Sequence, residues 1–248
     1  MIKNNSYTIL SNTEINTDIY EMVLTGDTSP ITNPGEFVHM KIDDTSTFLR
    51  RPISIAYHDD KEIWLAYKVV GKGTAAMAKM EPNTKVDMLV GCGNGFDLNA
   101  ETKKPLLIGG GMGVAPLYNL AKKLYERGLE PTLLIGFKTV SDIFYWEDFD
   151  AQFKTYLAIE KSKVCPEKRV TDILKELDPD SYDYFYACGP EPMQKAIYGM
   201  VHTDGEFSLE SRMGCGTGLC KCCSIETTEG MQTICKDGPV FKKRMVRW

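Results

Sequence analysis

Apolar and polar positions alternate at the period of a β-strand through the first hundred residues. Phe37 to Ile42 carries Val38, Met40 and Ile42 on one face, and Ile19 to Thr25 mixes apolar and polar residues in strand fashion. Ile63-Trp64-Leu65-Ala66-Tyr67-Lys68-Val69-Val70 and Val86-Asp87-Met88-Leu89-Val90 continue the pattern, and Pro34-Gly35, Asp59-Asp60 and Gly91 to Gly95 supply turns. Short strands at this spacing from Tyr7 to about Asp97 predict a small antiparallel barrel or sandwich with one short helix, Thr74 to Met80.

At Thr102-Lys103-Lys104 the pattern changes. Pro105-Leu106-Leu107-Ile108 is a short buried strand. Glycines follow, then Leu117, Leu120, Ala121 and Leu124 at helical spacing, with Gly128 as the stop. Pro131 to Gly136, Tyr156 to Ile159 and Tyr182 to Cys188 read as further strands, and Val170 to Leu177 and Glu191 to Val201 as helices. Such alternation predicts a parallel sheet with helices on its faces, with Tyr182 to Cys188 as its last strand. From Glu206 the alternation stops and a cysteine-rich segment runs into a basic tail, Lys242 to Trp248. The expected division is therefore a barrel over 1–99, an α/β domain over 100–205 and a small module over 206–248.

Composition narrows the class. The 248 residues are 43% hydrophobic and 25% charged, as in ordinary globular proteins, and a net charge of −5 offers no basic footprint for nucleic acid. No apolar run reaches membrane-span length, and Met1 to Ser6 lacks the charged start and apolar core of a secretion signal. Eight cysteines in such a chain predict metal or redox use rather than a disulfide framework.

Four of the cysteines form a pattern. Cys215, Cys220 and Cys223 stand as C-x4-C-x2-C, and Cys235 follows after eleven residues. This is the plant-type ferredoxin order for a 2Fe-2S cluster. Gly214, Gly216 and Gly218 suit a loop that wraps closely round sulfide with its N–H groups inward. A structural zinc site also uses four cysteines, but zinc ribbons carry two C-x2-C pairs and only one is present. Cys222 is surplus, because replacing Cys223 by it breaks the spacing.

Three further motifs carry nucleotide chemistry. Arg51-Pro52-Ile53-Ser54 opens a barrel strand and offers a guanidinium fork and a hydroxyl to a diphosphate. The run Tyr67-Lys68-Val69-Val70-Gly71-Lys72-Gly73-Thr74 ends a strand and opens the short helix, where glycine lets backbone N–H groups approach phosphate. Either motif alone also fits a solvated surface or a tight turn; together, in one barrel, they suit a flavin dinucleotide. Gly109, Gly110, Gly111, Gly113, Val114, Ala115 and Pro116 follow a strand and open a helix, the context of a dinucleotide-binding turn. Proline takes the place of the third glycine, and Lys138 stands near where an acidic ribose partner is usual, so NAD and NADP are not distinguished. Cys188-Gly189-Pro190 lies at the carboxyl end of a strand, where its thiol either borders a nicotinamide or is inert packing. His39, His58 and His202 share no spacing that implies a metal, and no nucleophile triad or paired carboxylates stand out.

These motifs together resemble the ferredoxin–NADP reductase superfamily. With the cysteines at the C-terminal end, they resemble in particular the iron–sulfur flavoprotein subunit of B-type dihydroorotate dehydrogenase. Glu210-Ser211-Arg212-Met213-Gly214-Cys215-Gly216 and Cys235-Lys236-Asp237-Gly238-Pro239-Val240-Phe241 look like that family's segments, and the resemblance spans nearly the whole chain. One departure is Val90-Gly91-Cys92-Gly93-Asn94-Gly95-Phe96, compressed beside the family's Gly-Pro-Leu-Gly form. The resemblance implies a barrel holding FAD, an α/β domain taking NAD and a small 2Fe-2S domain. It also implies a cytoplasmic heterotetramer with two FMN-containing catalytic subunits, acting in pyrimidine biosynthesis. Electrons would pass from dihydroorotate at FMN through the cluster to FAD, and leave as hydride to NAD. Two alternatives share features of the sequence: the small subunit of another flavin and iron–sulfur complex, such as a bifurcating ferredoxin–NADP oxidoreductase, and a zinc-stabilised nucleotide-binding module.

Overall fold

The structure is a computed structural model that describes residues 2–43 and 47–248. Its N-terminal part contains β1 (Lys3–Asn16), β2 (Ile19–Thr25), β3 (Phe37–Met40), β4 (Arg51–His58), β5 (Glu62–Lys68), the short helix α1 (Lys72–Met77) and β6 (Lys85–Cys92). The strands close into an antiparallel barrel in the order β1-β2-β5-β4-β3-β6. β1 is the long strand that periodicity missed. Its Lys3–Thr8 half pairs with β6 and its Thr8–Asn16 half with β2, across bulges, so one mostly polar strand closes the barrel. Inward side chains of period two fill it: Tyr7, Ile9, Met22, Leu24, Val38, Met40, Ile63, Leu65, Val86 and Met88. Helix α1 covers Lys72–Met77, beginning two residues before the expected start.

The second part alternates β7 (Pro105–Gly110), α2 (Val114–Glu126), β8 (Thr132–Thr139), α3 (Trp146–Gln152), β9 (Lys154–Lys161), α4 (Val170–Glu176), β10 (Tyr184–Cys188) and α5 (Glu191–Met200). Strands β7, β8 and β10 are apolar on both faces because helices cover both, which is why they read as continuous runs. Leu107, Leu133 and Ile135 meet α2 and the barrel wall. Leu106, Ile108 and Leu134 meet the opposite layer.

The sheet does not end at β10. Residues Gly205–Ser208 form β11, parallel to β10, and Val240–Lys242, after the last cysteine, return as β14, antiparallel to β11. The expectation that Tyr182 to Cys188 is the last parallel strand is thus corrected, and β11 straddles the expected 205/206 boundary. Four-residue strands paired by backbone give too little side-chain alternation to read. Between them lies a two-stranded hairpin, β12 (Ser224–Thr227) with β13 (Gly230–Thr233). Cys223, Ile234 and Cys235 pack in one core with Phe37 and Cys92 of the barrel and Phe207 and Phe241 of the sheet.

Candidate functional site

The barrel and the α/β sheet meet along a cleft of about 370 Å3, within the size range of cofactor pockets. From the barrel come Arg51, Pro52, Ile53, Ser54, Tyr67, Lys68, Val70 and Thr74. The α/β side adds Met112 and Cys188, and the segment Ser208 to Met213 forms a third wall, with Phe37 and Pro239 beside it.

The two arginines separate clearly. Arg50 is committed to structure: Nη2 lies 3.0 and 3.1 Å from the Asp87 carboxylate, and Nη1 donates to the carbonyls of His39 and Asp87. Arg51 turns to the cleft, and Gly73 makes room for it, since a methyl at 73 would collide with the guanidinium. Neither Val69 nor Gly73 lines the cleft. Thr74 Oγ1 accepts the N–H of Val70 at 2.9 Å and that of Gly71 at 3.3 Å, which fixes the strand-to-helix turn. Lys68 forms an ion pair with Asp142, tying the barrel to the turn after β8.

The glycine-rich turn after β7 does two jobs. Gly111 has a left-handed φ of 53° with open space round its Cα, and with Met112, Lys138, Thr139 and Asp142 it lines a second cleft of about 390 Å3. Lys68 and Met112 border both clefts. The other residues of the motif are internal. Gly113 presses on the main chain of Cys188 and Gly189, Gly110 on Met193 and Pro190, and Gly109 on Val114 and Leu117. Val114, Ala115 and Pro116 are buried at the start of α2. The motif at 109–116 and that at 188–190 are therefore one packed unit.

Cys188 is buried, and burial, with a smaller contribution from Glu210, pushes its thiol up to about 12, so it stays protonated. Glu210 is open to the cleft, but the protein round it raises its carboxyl. Sequence reasoning missed Phe37, Met112, Ser208 and Glu210 as cleft residues; nothing in their local pattern marks them, because the fold alone brings them there.

The four patterned thiols lie in two neighbouring pairs, Cys215 with Cys220 and Cys223 with Cys235. Among the described residues no three such side chains converge on a single ion. Two pairs instead fit a centre with two irons and two protein ligands on each. Backbone N–H groups face the sulfurs: Thr217 and Cys220 to Cys215 at 3.4 Å, Gly218 to Cys235 at 3.1 Å and Cys235 to Cys223 at 3.4 Å. Burial alone would raise the Cys215 thiol, but hydrogen bonds from the Thr217 side chain and from the N–H groups of Cys220 and Thr217 outweigh it and hold it low, whereas burial and the neighbouring Cys223 push the Cys235 thiol up. Cys222 and Leu219 are exposed beside the ligands. The 90–96 loop lines neither cleft. It grips the segment after Cys235, with Asn94 N–H donating to Gly238 at 2.8 Å and Gly93 against Pro239.

Comparison with known proteins bears on this arrangement. Family models for the iron–sulfur cluster binding domain of dihydroorotate dehydrogenase B and for the oxidoreductase NAD-binding domain match residues 210–247 and 107–198. The electron transfer subunit of dihydroorotate dehydrogenase B (NAD(+)) from Lysinibacillus sphaericus strain C3-41 is 39% identical, over 99% of both chains. The chain belongs to this family of electron transfer subunits. The subunit of the same name from Fusobacterium nucleatum is 37% identical over 94% of this chain and 95% of its own. Among solved structures, the NADH-dependent reduced ferredoxin–NADP oxidoreductase superposes with a TM-score of 0.85 at 27% identity, over 98% of this chain and 90% of that one. Phthalate dioxygenase reductase shares the fold at 15% identity and a TM-score of 0.67, with 94% of each chain covered. The chain is thus an oxidoreductase subunit with an iron–sulfur domain and an NAD-binding domain, and the full-length relatives favour the dihydroorotate dehydrogenase family over the bifurcating alternative. The cluster-binding match contains all four patterned cysteines and speaks against the zinc module. As an electron transfer subunit it works with a catalytic partner. No helix among the described residues is long and apolar enough to cross a membrane.

Proposed function

We propose that this chain carries electrons between an FMN-containing dihydroorotate dehydrogenase catalytic subunit and NAD, in a cytoplasmic heterotetramer of two of each subunit serving pyrimidine biosynthesis. FAD occupies the Arg51 cleft, and a 2Fe-2S cluster sits on Cys215, Cys220, Cys223 and Cys235. NAD enters by the Gly111 cleft. The observation that carries this reading is one continuous stretch of chain. Ser208 to Met213 lines the first cleft together with Arg51, begins beside Cys188 and runs two residues later into Cys215. Flavin and cluster sites are therefore adjacent through a single segment, and Lys68 and Met112 join the flavin cleft to the Gly111 cleft. When bound, flavin supplies the exchange between two-electron hydride chemistry and one-electron transfer.

The protein's own residues supply binding and alignment. Arg51 gives charge and donors to the diphosphate, helped by the hydroxyls of Ser54 and Thr74. Pro52, Ile53 and Tyr67 form an apolar wall for the flavin, Lys68 and Val70 line the same cleft with Val69 as the link between them, and Gly73 gives Arg51 its room. Gly111 admits the dinucleotide close to backbone, while Gly109, Gly110, Gly113 and Val114 to Pro116 lock the turn against Cys188, Gly189 and Pro190. Backbone N–H groups neutralise charge on the sulfurs. Leu219, 84% exposed beside Cys220, marks the face for the catalytic subunit, because a one-electron carrier must lie close to its donor. Flavin, iron and labile-sulfide analysis of the purified chain, with its EPR spectrum after reduction, tests the reading. One FAD and two irons per chain with a rhombic 2Fe-2S signal are expected. A colourless protein with stoichiometric zinc contradicts it.

A further inference from the structure

His39 is fully buried, and neither ring nitrogen has a hydrogen-bond partner. A buried polar group left unmade costs about 1–3 kcal/mol, and native interiors keep few of them. Its position shows what stands near it. Along β3, Val38 and Met40 join the barrel interior, whereas Phe37, two residues before His39 on the other face, packs with Cys223 and Cys235. Gly216 closes over the imidazole, for a methyl at 216 would collide with Nδ1. The main-chain oxygens of Cys215 and Arg50 lie nearby, yet neither completes a hydrogen bond with the ring. In any tautomer the ring carries an N–H to give. The N–H donors already facing cysteine sulfurs, from Thr217, Gly218, Cys220 and Cys235, all belong to the cysteine module. On its other side His39 pairs in register with Pro52, which lines the Arg51 cleft.

We propose that the ring N–H of His39 donates a hydrogen bond to a sulfur of the iron–sulfur centre, so that the flavin barrel itself sets the cluster's reduction potential. The proposal rests on the reading that Cys215, Cys220, Cys223 and Cys235 hold a 2Fe-2S cluster. A donor to sulfur stabilises the more negative, reduced cluster and raises its potential. His39 thus differs from the backbone donors: it is a side chain, from another part of the fold, that can be replaced without touching the loop.

The test compares full-length holoprotein as wild type, His39→Leu and His39→Gln. Redox titration monitored by EPR reads the cluster potential, and pulsed EPR of protein carrying 15N-histidine reads coupling between the reduced cluster and a histidine nitrogen. His58 lies beside Asn119 and His202 beside Asp180, so a coupling reports His39. The potential of His39→Leu should fall by at least about 59 mV, a tenfold change in a one-electron equilibrium. His39→Gln, which keeps an N–H donor, should recover most of it, and the wild type should show the coupling. An unmoved potential in His39→Leu with full iron and sulfide, or no histidine coupling in the wild type, overturns the proposal and leaves the cluster assignment standing. Should both variants lose the cluster, the wild-type coupling decides. A wild-type chain without iron removes both.

Discussion

Asn94 and Val240 exchange two hydrogen bonds: Asn94 Nδ2 donates to the Val240 carbonyl at 2.8 Å, and the Val240 N–H returns the bond to Asn94 Oδ1 at 3.1 Å. One residue lies in the loop that leaves the barrel, the other opens β14 just after the last cysteine. Asn94 Nδ2 also reaches the Asp237 carbonyl at 3.0 Å. A side chain here acts as a short piece of paired strand, so the barrel seats the cysteine module. Asn94→Ala should destabilise that module by about 0.5–1.5 kcal/mol, the net worth of a hydrogen bond at a partly exposed site. In urea the cluster absorbance should bleach before the flavin is released. Loss of both at one midpoint, unchanged from wild type, would show that the pair contributes no local seating.

Lys242 makes a second tie whose pH dependence is predictable. Its Nζ lies 2.9 Å from Oε1 of Glu206 and 2.8 Å from Oδ2 of Asp97, and the Glu206 side chain is only 4% exposed. Burial pushes the Glu206 carboxyl up despite the Lys242 and Asp97 N–H contacts, whereas hydrogen bonds to Asp97, Tyr184 and Glu206 raise Lys242 against its own burial. The lysine's contribution is therefore present below the unfolded lysine pKa of about 10.4 and lost only as pH rises through its higher folded value. In Lys242→Met the buried carboxylate loses its cation. With a raised folded pKa, Glu206 then favours the fold below about pH 4.3 and opposes it as pH rises through the folded value. Urea unfolding should show a deficit of about 3 kcal/mol at about pH 8, the low end for a broken buried pair because Lys242 is partly solvated. The deficit should shrink as the pH falls towards about 4.5. An equal deficit at both pH values would mean that Glu206 is uncharged in the wild type.

The barrel strands and the α/β alternation were legible because side chains there obey a period of two or a run buried on both faces. β1 was not, since Tyr7 and Ile9 are its only fully buried side chains and its hydrogen bonds do the rest. β11 and β14 were hidden because cysteine spacing dominates residues 206–248 and a three- or four-residue strand has no period to show. Of the site, Arg51, Ser54, Thr74 and Gly111 were visible as residue types suited to phosphate and backbone approach. Glu210 and Met112 reach the cleft by tertiary packing alone. His39 looked unremarkable in sequence, since only the chain fold sets Gly216 against it.

The division of labour between Arg50 and Arg51 separates two variants. Arg51→Ala should weaken FAD binding ten- to a hundredfold, corresponding to about 1.5–3 kcal/mol for a charge-assisted contact. Arg50→Ala should instead lower stability, because it frees the Asp87 carboxylate and the carbonyls of His39 and Asp87, while FAD affinity stays near wild type. Flavin retention after gel filtration, with equilibrium titration of the apoprotein, measures both. Equal FAD loss in the two variants contradicts the assignment.

Gly111→Val should impair reaction with NADH while leaving FAD and iron content unchanged. The left-handed φ of 53° makes any L side chain strained by about 1–2 kcal/mol, and a branched group would occupy the second cleft. Gly128→Val is the control for strain alone: its φ is 80°, it has open space, and it lies past the end of α2. Stopped-flow reduction of the flavin should slow at least about tenfold in Gly111→Val, roughly 1.4 kcal/mol, and stay near wild type in Gly128→Val. A wild-type rate in Gly111→Val would make the turn purely structural.

In the proposed complex this chain carries electrons but does not oxidise dihydroorotate. The Arg51 and Gly111 clefts and the four patterned cysteines are assigned to cofactors, and dihydroorotate chemistry to the FMN-containing partner. A mixing assay with each subunit pure tests this most directly. The chain alone should let NADH reduce an artificial dye and show no dihydroorotate oxidation. Adding the FMN-containing catalytic subunit should create dihydroorotate:NAD activity, which substitutions at Leu219 and Lys221 slow while sparing NADH–dye activity. Dihydroorotate oxidation by the chain alone, or brisk exchange with ferredoxin but none with the FMN subunit, contradicts the account.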